Sequence, residues 1–300
     1  MQIQVGQETI ALDNSKGDIA FLSHAHTDHL FGTSRVKHLV SSKATCDLAK
    51  IEKEVSSFPH LKMLDAGHIL GARQLAIEAD GKKIVYTGDF SLKRNIFGLS
   101  AQIQECDQLI MEATYGNPQY RFPEISDVVL QISKWVKSNE NKNLIFGSYE
   151  LGKAQALIKI LNECGVTPIV SEKIHEFSKV YDSHGFNLSR ICVGTDEADS
   201  ALIRPFVAIV KMKLASFTFA KKIEDAYNRR TYCAVATGWA EKYRFSSHAA
   251  FTLSDHADFD DLVDYVDQSA AKEVSFFCGD GSKVLEKTKS AKMSMILNKT

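Results

Sequence analysis

The chain is predicted to fold as an α/β protein, because short apolar runs of strand length alternate with helical patterns along its 300 residues. With 44% hydrophobic residues, it can bury a substantial core as one large domain or two medium ones. No internal repeat or low-complexity segment interrupts the alternation. The runs that resemble buried strands are residues 19–22, 75–79, 84–87, 144–146, 167–170, 207–210 and 274–277.

Two helices and one hairpin are predicted between these strands. Residues 153–161 place their apolar side chains on one helical face and stop near Gly165, and residues 262–266 continue a second amphipathic helix. The dipeptide Asp80-Gly81 separates two of the apolar runs and suits the positive φ angles of a tight turn. These runs should therefore pair as an antiparallel hairpin.

Charge gives little information about function. The formal net charge is -1, so the whole chain has no basic signature for nucleic acid. The segment from Gln119 to His248 contains 18 Lys and Arg residues and 14 Asp and Glu residues, a net charge of +4. This is weak support for a segment that binds a polyanion, because charge runs are usually solvated surface.

The cysteines and the apolar runs suggest the compartment. Six cysteines lie far apart without a Cys-x-x-Cys pair, and the first residues lack a basic region followed by an apolar stretch. No run approaches the roughly 18 uninterrupted apolar residues of a membrane span. A reducing, cytoplasmic location without membrane insertion is expected.

The run His24-Ala25-His26-Thr27-Asp28-His29 predicts a metal site. Its first two imidazoles are two residues apart at the end of a predicted strand, where alternate side chains point the same way. Asp28 and His29 follow, at what is expected to be the turn into a helix. A lone histidine is more often structural, but four potential ligands in this spacing have few such explanations.

The predicted hairpin adds a third imidazole and a second carboxylate. Antiparallel pairing about Asp80-Gly81 brings the stretch after His68 close to Asp89. Imidazole and carboxylate together suit Zn²⁺, one or two ions, with Mn²⁺ as a further option. An open coordination position would let a bound water ionise at a pKa of about 7.

The ligands are expected to divide between two ions, with His24, His26 and His68 on the first, Asp28 and His29 on the second, and Asp89 bridging. Asp13 precedes the run and is a candidate to orient one of these ligands through hydrogen bonds. A surface turn would explain Asp13 nearly as well.

In order along the chain, Asp13, the His24–His29 run, His68 and Asp89 resemble motifs one to four of the metallo-β-lactamase fold, which implies an αβ/βα sandwich. Residues 111–116, 148–155 and 253–259 resemble the β-CASP nuclease branch, which includes the cleavage and polyadenylation endonuclease, RNase J and Artemis. The most similar group is named mRNA 3′-end processing factor or DNA ligase-associated exonuclease. The resemblance implies a metallo-β-lactamase core in residues 1–118, an inserted β-CASP α/β domain in 119–248 and a return of the core in 249–300.

The resemblance also implies roles. Glu112 matches the acid of motif A and His256 the histidine of motif B, which together assist the leaving group of the phosphodiester, while Asp28 is expected to take part in catalysis. An imidazole held by a carboxylate is a suitable proton donor near pH 7. Alternatively, His256 lies in the first turn of a surface helix capped by Ser254 or Asp255.

The chain departs from the family pattern at motif C. RNA-cleaving members have a strand that ends in His-Gly, and DNA-cleaving relatives such as Artemis often carry an aliphatic residue there, but this chain has Phe277-Cys278-Gly279. A Cys278 thiolate would bind zinc well, whereas a buried neutral thiol would leave the second ion one ligand short. Both alternatives remain open, and with them the preference for RNA or DNA.

Residues 147–154 nearly match a phosphate-binding P-loop, but Ala154 stands where Mg²⁺ binding needs Ser or Thr. Nucleotide hydrolysis is therefore not expected. Lys153 at the start of the predicted helix could still hold a backbone phosphate, although a tight strand-to-helix connection explains the residues equally well.

The predicted function is a nuclease that hydrolyses RNA or single-stranded DNA, in RNA processing or DNA-end processing, with a zinc-activated hydroxide. A small-molecule metallo-hydrolase would share the first motifs but would not explain residues 152–155 or 254–256. A nucleic-acid-binding paralogue without activity should lose ligands broadly, whereas only Cys278 deviates here. Homodimerisation is left open.

Overall fold

The computed structural model describes residues 1–33 and 36–289, and the backbone of residues 294–296. The chain divides into two compact units, the first made of Met1–Arg121 with Asp255–Thr300 and the second of Phe122–Ser254. The domain boundaries predicted from the motifs lie a few residues earlier at both junctions. Residues 290–293 and 297–300 of the predicted return segment lie outside the described residues.

Strands and helices alternate along most of the chain. In chain order, the strands are β1 (Gln2–Val5), β2 (Glu8–Leu12), β3 (Ile19–Phe21), β4 (His38–Val40), β5 (Leu61–Asp65), β6 (Arg73–Ala79), β7 (Lys82–Tyr86), β8 (Gln108–Ala113), β9 (Asn143–Ser148), β10 (Ile169–Val170), β11 (Ile191–Cys192), β12 (Val207–Lys211), β13 (Thr231–Ala236), β14 (Ala249–Phe251), β15 (Glu273–Gly279) and β16 (Ser294–Ile296). The helices are α1 (Lys43–Ala49), α2 (Ile125–Lys137), α3 (Lys153–Glu163), α4 (Glu172–Ser183), α5 (Asp196–Leu202), α6 (Phe217–Tyr227), α7 (Phe259–Ser269) and α8 (Ser282–Lys287), with 3₁₀ turns at Met212–Leu214 and Gly238–Glu241.

The first unit contains two sheets. One has the strand order β1-β2-β3-β4, antiparallel between β1 and β2 and parallel elsewhere. The other has the order β16-β15-β8-β7-β6-β5, with antiparallel pairs only among β5, β6 and β7. Side chains of both sheets meet in one apolar cluster that includes Phe21, Leu75, Tyr86 and Phe277. Burial of this cluster holds the two sheets together.

The hairpin predicted around Asp80-Gly81 is confirmed. Strands β6 and β7 pair antiparallel with Ala79 opposite Lys82, so the dipeptide forms a two-residue loop. Its φ angles are 49° and 74°, the left-handed pair that a type I′ turn requires. A short polar residue followed by glycine accepts this geometry at low cost, which explains why this hairpin was visible in the sequence.

The second unit is built on one parallel sheet of order β11-β10-β12-β9-β13-β14. Strand β9 lies in the interior of this sheet and is buried at every position, as is typical of parallel strands. Helix α3 buries Leu157, Ile158 and Leu161, the face predicted from the sequence. The mixed α/β class predicted for the chain is thus confirmed. The helices predicted at 153–161 and 262–266 and the predicted strands are also formed, although the run at 167–170 is a strand only at Ile169–Val170.

One local prediction is wrong. In the described residues, no helix begins directly after His29. Residues 27–29 form a turn in which His29 N–H donates to His26 O at 3.0 Å, and helix α1 begins only at Lys43. The turn suffices to direct the side chains of the run, so the ligand spacing does not depend on a helix. Nowhere in the described residues is a helix both long and apolar enough to span a membrane.

Candidate functional site

The predicted ligands of the first unit lie at one edge of its two sheets. The His24–His29 run follows β3, and His68 lies between β5 and β6. Asp89 follows β7, while Glu112 and Cys278 lie near the ends of β8 and β15. Because β7, β8 and β15 are parallel, their carboxyl ends meet at that edge. The residues brought together are Asp13, His24, His26, Asp28, His29, His68, Asp89, Glu112, His256 and Cys278.

Four of them form a compact donor group. One ligand atom from each of His24, His26, His68 and Asp89 lies within 4.8 Å of the others. His26 Nδ1 and His68 Nε2 are 3.0 Å apart, and Asp89 Oδ2 lies 3.5 Å from His24 Nε2 and 3.8 Å from His68 Nε2. Donors that share one tetrahedral ion at about 2.0–2.1 Å are themselves about 3.3 Å apart, so these separations fit a metal.

Burial of this group supports the same interpretation. Within the described residues, His24 Nε2 is fully buried and has no hydrogen-bond partner, which is costly unless something else satisfies it. Burial and then the neighbouring His29 lower the pKa of His24 well below its usual value. Burial is also the largest cause that lowers the pKa of His68. Both rings are thus neutral, the form that binds metal ions.

His29 and Asp28 lie next to this group. His29 Nε2 is 3.5 Å from Asp89 Oδ1 and 3.7 Å from Asp28 Oδ2, and the Asp28 side chain is 70% exposed. Burial would lower the pKa of His29, but its hydrogen bond to Asp13 and the nearby carboxylates raise it to about 9. Burial and then Glu112 raise the pKa of Asp89 to about 6. These shifts reflect a site rich in negative charge, which a cation would balance.

Asp13 fixes three buried side chains. Its carboxylate accepts hydrogen bonds from Ser23 N–H at 2.7 Å, Ser23 Oγ at 2.8 Å and Tyr86 OH at 2.8 Å. It also bonds His29 Nδ1 at 2.7 Å. The surface-turn alternative for Asp13 is therefore wrong, since its side chain is 8% exposed and bonded on both oxygens.

Glu112 holds His256. His256 Nδ1 lies 3.0 and 2.9 Å from the two oxygens of the buried Glu112 carboxylate, which also accepts from Phe90 N–H at 2.8 Å and from Thr114 Oγ1. Burial lowers the pKa of His256, but Glu112 outweighs it and the pKa is raised to about 9. Helix α7 begins at Phe259 with a different cap, so the first-turn alternative for His256 is wrong.

A backbone carbonyl connects the two histidine clusters. His68 Nδ1 donates to Asp255 O at 2.7 Å, and the rings of His68 and His256 are 4.5 Å apart. Because Nδ1 of His68 is taken by the carbonyl, its Nε2 faces the donor group. The segment that carries His256 is thus placed by a residue of the candidate metal group.

Cys278 lies in β15 beside Glu112 of β8. Its Sγ is grouped with ligand atoms of Asp89 and Glu112 within 4.8 Å and lies 3.7 Å from Thr114 Oγ1. Burial and then the two carboxylates raise the pKa of the thiol to about 12. In the absence of a cation, these surroundings favour the neutral thiol.

Lys153 belongs to the second unit. It is the first residue of α3, is buried, and its Nζ lies 5.1 Å from the centre of the Tyr149 ring. The preceding Gly152 has φ 84°, which favours glycine at this tight connection between β9 and α3.

Several site residues were not predicted. Ser23, Tyr86, Thr114 and Asp255 all bond predicted site residues, yet each lies inside a motif that was selected for a neighbour. The contacts of Tyr86 and Asp255 join positions 73 and 187 residues apart, which no local spacing reveals. The only sequence signal that could have identified these residues as part of the site is their position within the motifs.

No family model matches the chain. The chain is 30% identical over 271 residues to a probable DNA ligase of Opitutus terrae and 28% identical over 188 residues to an RNase J-like protein of Methanocaldococcus jannaschii. Other matched relatives are named as cleavage and polyadenylation specificity factor subunit 3 and DNA cross-link repair proteins. The chain belongs to the β-CASP branch of the metallo-β-lactamase superfamily.

The matches to these β-CASP relatives cover much of this chain but less of the relatives. They include 83% of the chain and 25% of the ligase, and 50% of the chain and 45% of the RNase J-like protein. A solved structure of a protein of unknown function from Enterococcus faecalis V583 is similar, with a TM-score of 0.63 at 14% sequence identity. The match covers 93% of this chain and 79% of the Enterococcus chain. That likeness concerns the fold alone. Membership of the β-CASP branch implies a divalent metal, and the donor group above could bind one.

Proposed function

We propose that this protein is a metal-dependent nuclease that hydrolyses phosphodiester bonds of RNA, single-stranded DNA or both. The observation that carries the proposal is the compact donor group of His24, His26, His68 and Asp89 beside a histidine held by a buried carboxylate. A metal that activates a water and a proton donor that assists the leaving group can together hydrolyse a phosphodiester. The names of the relatives, among them an RNase J-like protein, support the same activity.

We assign Zn²⁺ to the site, with Mn²⁺ as the alternative, because imidazole nitrogens and a carboxylate suit both. A bound Zn²⁺ would polarise a phosphoryl oxygen and supply a water acidic enough to attack phosphorus near neutral pH. The proposed ligands are His24, His26 and His68 for a first ion, Asp28 and His29 for a second, and Asp89 between them.

The remaining residues position groups and move a proton. Because Nδ1 of His256 is bonded to Glu112, its Nε2 is the atom that would protonate the leaving 3′-oxygen. Asp28 is exposed beside His29 and would orient the attacking water, while Asp13 holds the His29 ring through Nδ1.

Cys278 decides how fully the second ion is bound. Its Sγ contacts the Thr114 hydroxyl and lies near two carboxylates, so a cation that binds there competes with that contact. A thiolate ligand and a structural cysteine predict different metal contents, which can be counted.

We further propose that the two sheets of the first unit form the αβ/βα metallo-β-lactamase sandwich and that the second unit, predicted as residues 119–248 and extending here to Ser254, is the β-CASP insert. The apolar cluster shared by the two sheets supports the first assignment, and the separate parallel sheet the second. In the insert, Lys153 at the start of α3 would hold a backbone phosphate. The free thiols of the six cysteines fit a reducing cytoplasm.

Metal counting together with cleavage of end-labelled RNA and single-stranded DNA tests the proposal. Purified protein should carry one to two zinc or manganese ions and cut at least one substrate, and Asp89→Ala should abolish cleavage. Asp47→Ala is the matched control, because Asp47 pairs with Lys43 on α1 and lies outside the donor group. Protein that binds no metal and cuts neither substrate with Zn²⁺ or Mn²⁺ would disprove the nuclease.

A further inference from the structure

Three aromatic rings form a row on the surface of the second unit. The rings of Tyr232 and His248 stack with centroids 4.4 Å apart and planes at 20°. The Phe217 ring meets His248 edge-on at 4.9 Å. Phe217 is 50% exposed and His248 is also exposed. These three residues are called the aromatic row.

Backbone hydrogen bonds hold the row in place. His248 N–H donates to Cys233 O at 2.8 Å, and Cys233 N–H donates back to His248 Nδ1 at 3.1 Å, so both the main chain and the ring of His248 are fixed on β13. Phe217 N–H donates to Ser246 O at 2.8 Å at the start of α6. A surface whose side chains are already ordered loses little entropy when it binds a ligand.

Two cations flank the row. Lys142 Nζ lies 4.9 Å and the Arg230 guanidinium carbon 5.7 Å from the centre of the Tyr232 ring. A cavity of about 390 Å³ opens beside Tyr232 and His248 and is also lined by Arg229 and Arg230. Its volume lies in the range of small-ligand sites.

The cavity contains one carboxylate, that of Glu224. Glu224 accepts hydrogen bonds from Thr231 N–H at 3.2 Å and from Lys221 Nζ at 3.3 Å, so part of its negative charge is already balanced. The cavity with its flanking Lys142 therefore has a positive balance, as does the whole segment from Gln119 to His248 at +4.

We propose that the aromatic row, with Lys142 and Arg230, binds a segment of single-stranded nucleic acid. The exposed rings of Phe217 and His248 would stack bases without regard to sequence, on the support of the half-buried Tyr232 ring. Lys142 and Arg230 would bind the phosphates between those bases. The proposal rests on the proposed nuclease function and names a second place where its substrate strand is held.

The row is separate from the proposed phosphate contact at Lys153. Tyr232 pairs with Leu144 near the amino end of β9, whereas Lys153 follows the carboxyl end of β9 at Ser148. Four residues of strand, about 13 Å, separate Leu144 from Ser148, and Lys153 follows five residues later. A strand that reached both would span about two nucleotides or more, so affinity should rise with oligonucleotide length.

Fluorescence anisotropy of the full chain with labelled 20-residue oligodeoxythymidine and oligouridine, in EDTA to prevent cleavage, tests the proposal. Phe217→Ala and His248→Ala should each weaken binding roughly 5- to 100-fold, the loss of one stacked base. Arg230→Gln should weaken binding and reduce the slope of log affinity against log salt by about one.

Two matched controls lie on the same unit. Ile203→Ala removes an apolar side chain that is 75% exposed, and Arg204→Gln removes an exposed cation. Both variants should bind as wild type does. Photocrosslinking of wild-type protein to 5-iodouridine oligomers should give adducts on peptides that carry Phe217, Tyr232 or His248, a readout that does not depend on any variant folding.

The outcomes separate this proposal from the nuclease. Wild-type affinity in Phe217→Ala and Arg230→Gln, or adducts that map only to other peptides, would overturn the strand-binding row. Hydrolysis of bis(p-nitrophenyl) phosphate by wild-type protein with Zn²⁺ or Mn²⁺ tests the metal chemistry alone. If that ester and the oligonucleotides stay intact while adducts map to the row, the nuclease is wrong and the row stands.

Discussion

Replacing Asp13 by alanine should destabilise the protein by roughly 4 kcal/mol and weaken zinc binding about 10- to 100-fold. The first figure follows from the hydrogen bonds that end on its carboxylate. Ser23, His29 and Tyr86 are each no more than 2% exposed, so their donors cannot turn to water when the acceptor is lost. Each unsatisfied buried donor costs about 1–3 kcal/mol, and neighbouring groups relax in part.

The Asp13→Asn variant refines the test. It keeps one acceptor oxygen but turns an amide N–H₂ toward donors, so about half of the alanine effect is expected. Urea unfolding in EDTA measures stability, and competition with a chromogenic chelator measures zinc affinity. Asp18→Ala is the control, because exposed Asp18 accepts only from Thr9 N–H at 2.9 Å among the described side-chain contacts. If Asp13→Ala unfolds at the urea midpoint of Asp18→Ala, or binds zinc as wild type does, Asp13 does not hold the site.

Three further outcomes are expected. Glu112→Gln should lower kcat on labelled oligonucleotides about 100-fold, because His256 loses its charged partner; an unchanged kcat would remove the pair from the mechanism. Cys278→His should raise the zinc content measured by mass spectrometry toward two per chain, and an unchanged content would mean that Cys278 does not contact the ion. Burial and then Asp258 raise the pKa of Asp261 to about 7, so the folded state favours protonated Asp261 and loses stability as pH rises from about 4 through 7. At pH 8, the free energy of unfolding measured with urea should therefore be about 1–3 kcal/mol higher for Asp261→Asn than for wild type, and this difference should shrink at pH 5. A difference that stays the same at both pH values would contradict the raised pKa of Asp261.

Features fixed by a few adjacent residues could be predicted from the sequence. The Asp80-Gly81 hairpin depends on two positive φ angles that few residue pairs accept, and it placed His68 near Asp89 correctly. The His24–His29 run is specific because ligand spacing is set by the backbone at a strand end. Helix α3 was visible because its buried face repeats at helical spacing.

Features that depend on distant partners could not be predicted. The helix expected directly after His29 is not formed in residues 30–33, and a turn bonded from His29 N–H to His26 O directs the run instead. The half-exposed strand β1 has too few buried positions to give a pattern. Tyr86 bonds Asp13 only because strands of two different sheets bring them together, and the sequence contains no local sign of that contact.

The pair Glu112 and His256 has a consequence for synthesis of the protein. The two residues are 144 positions apart, and β15, which pairs with β8, follows His256. At about 5–20 residues per second, a ribosome needs roughly 7–30 s to travel from one to the other. During that interval the nascent chain already contains the donor group of residues 24–89 but not the histidine that completes the site. On the proposed function, the nascent chain therefore gains its proton donor only after residue 256 has been added.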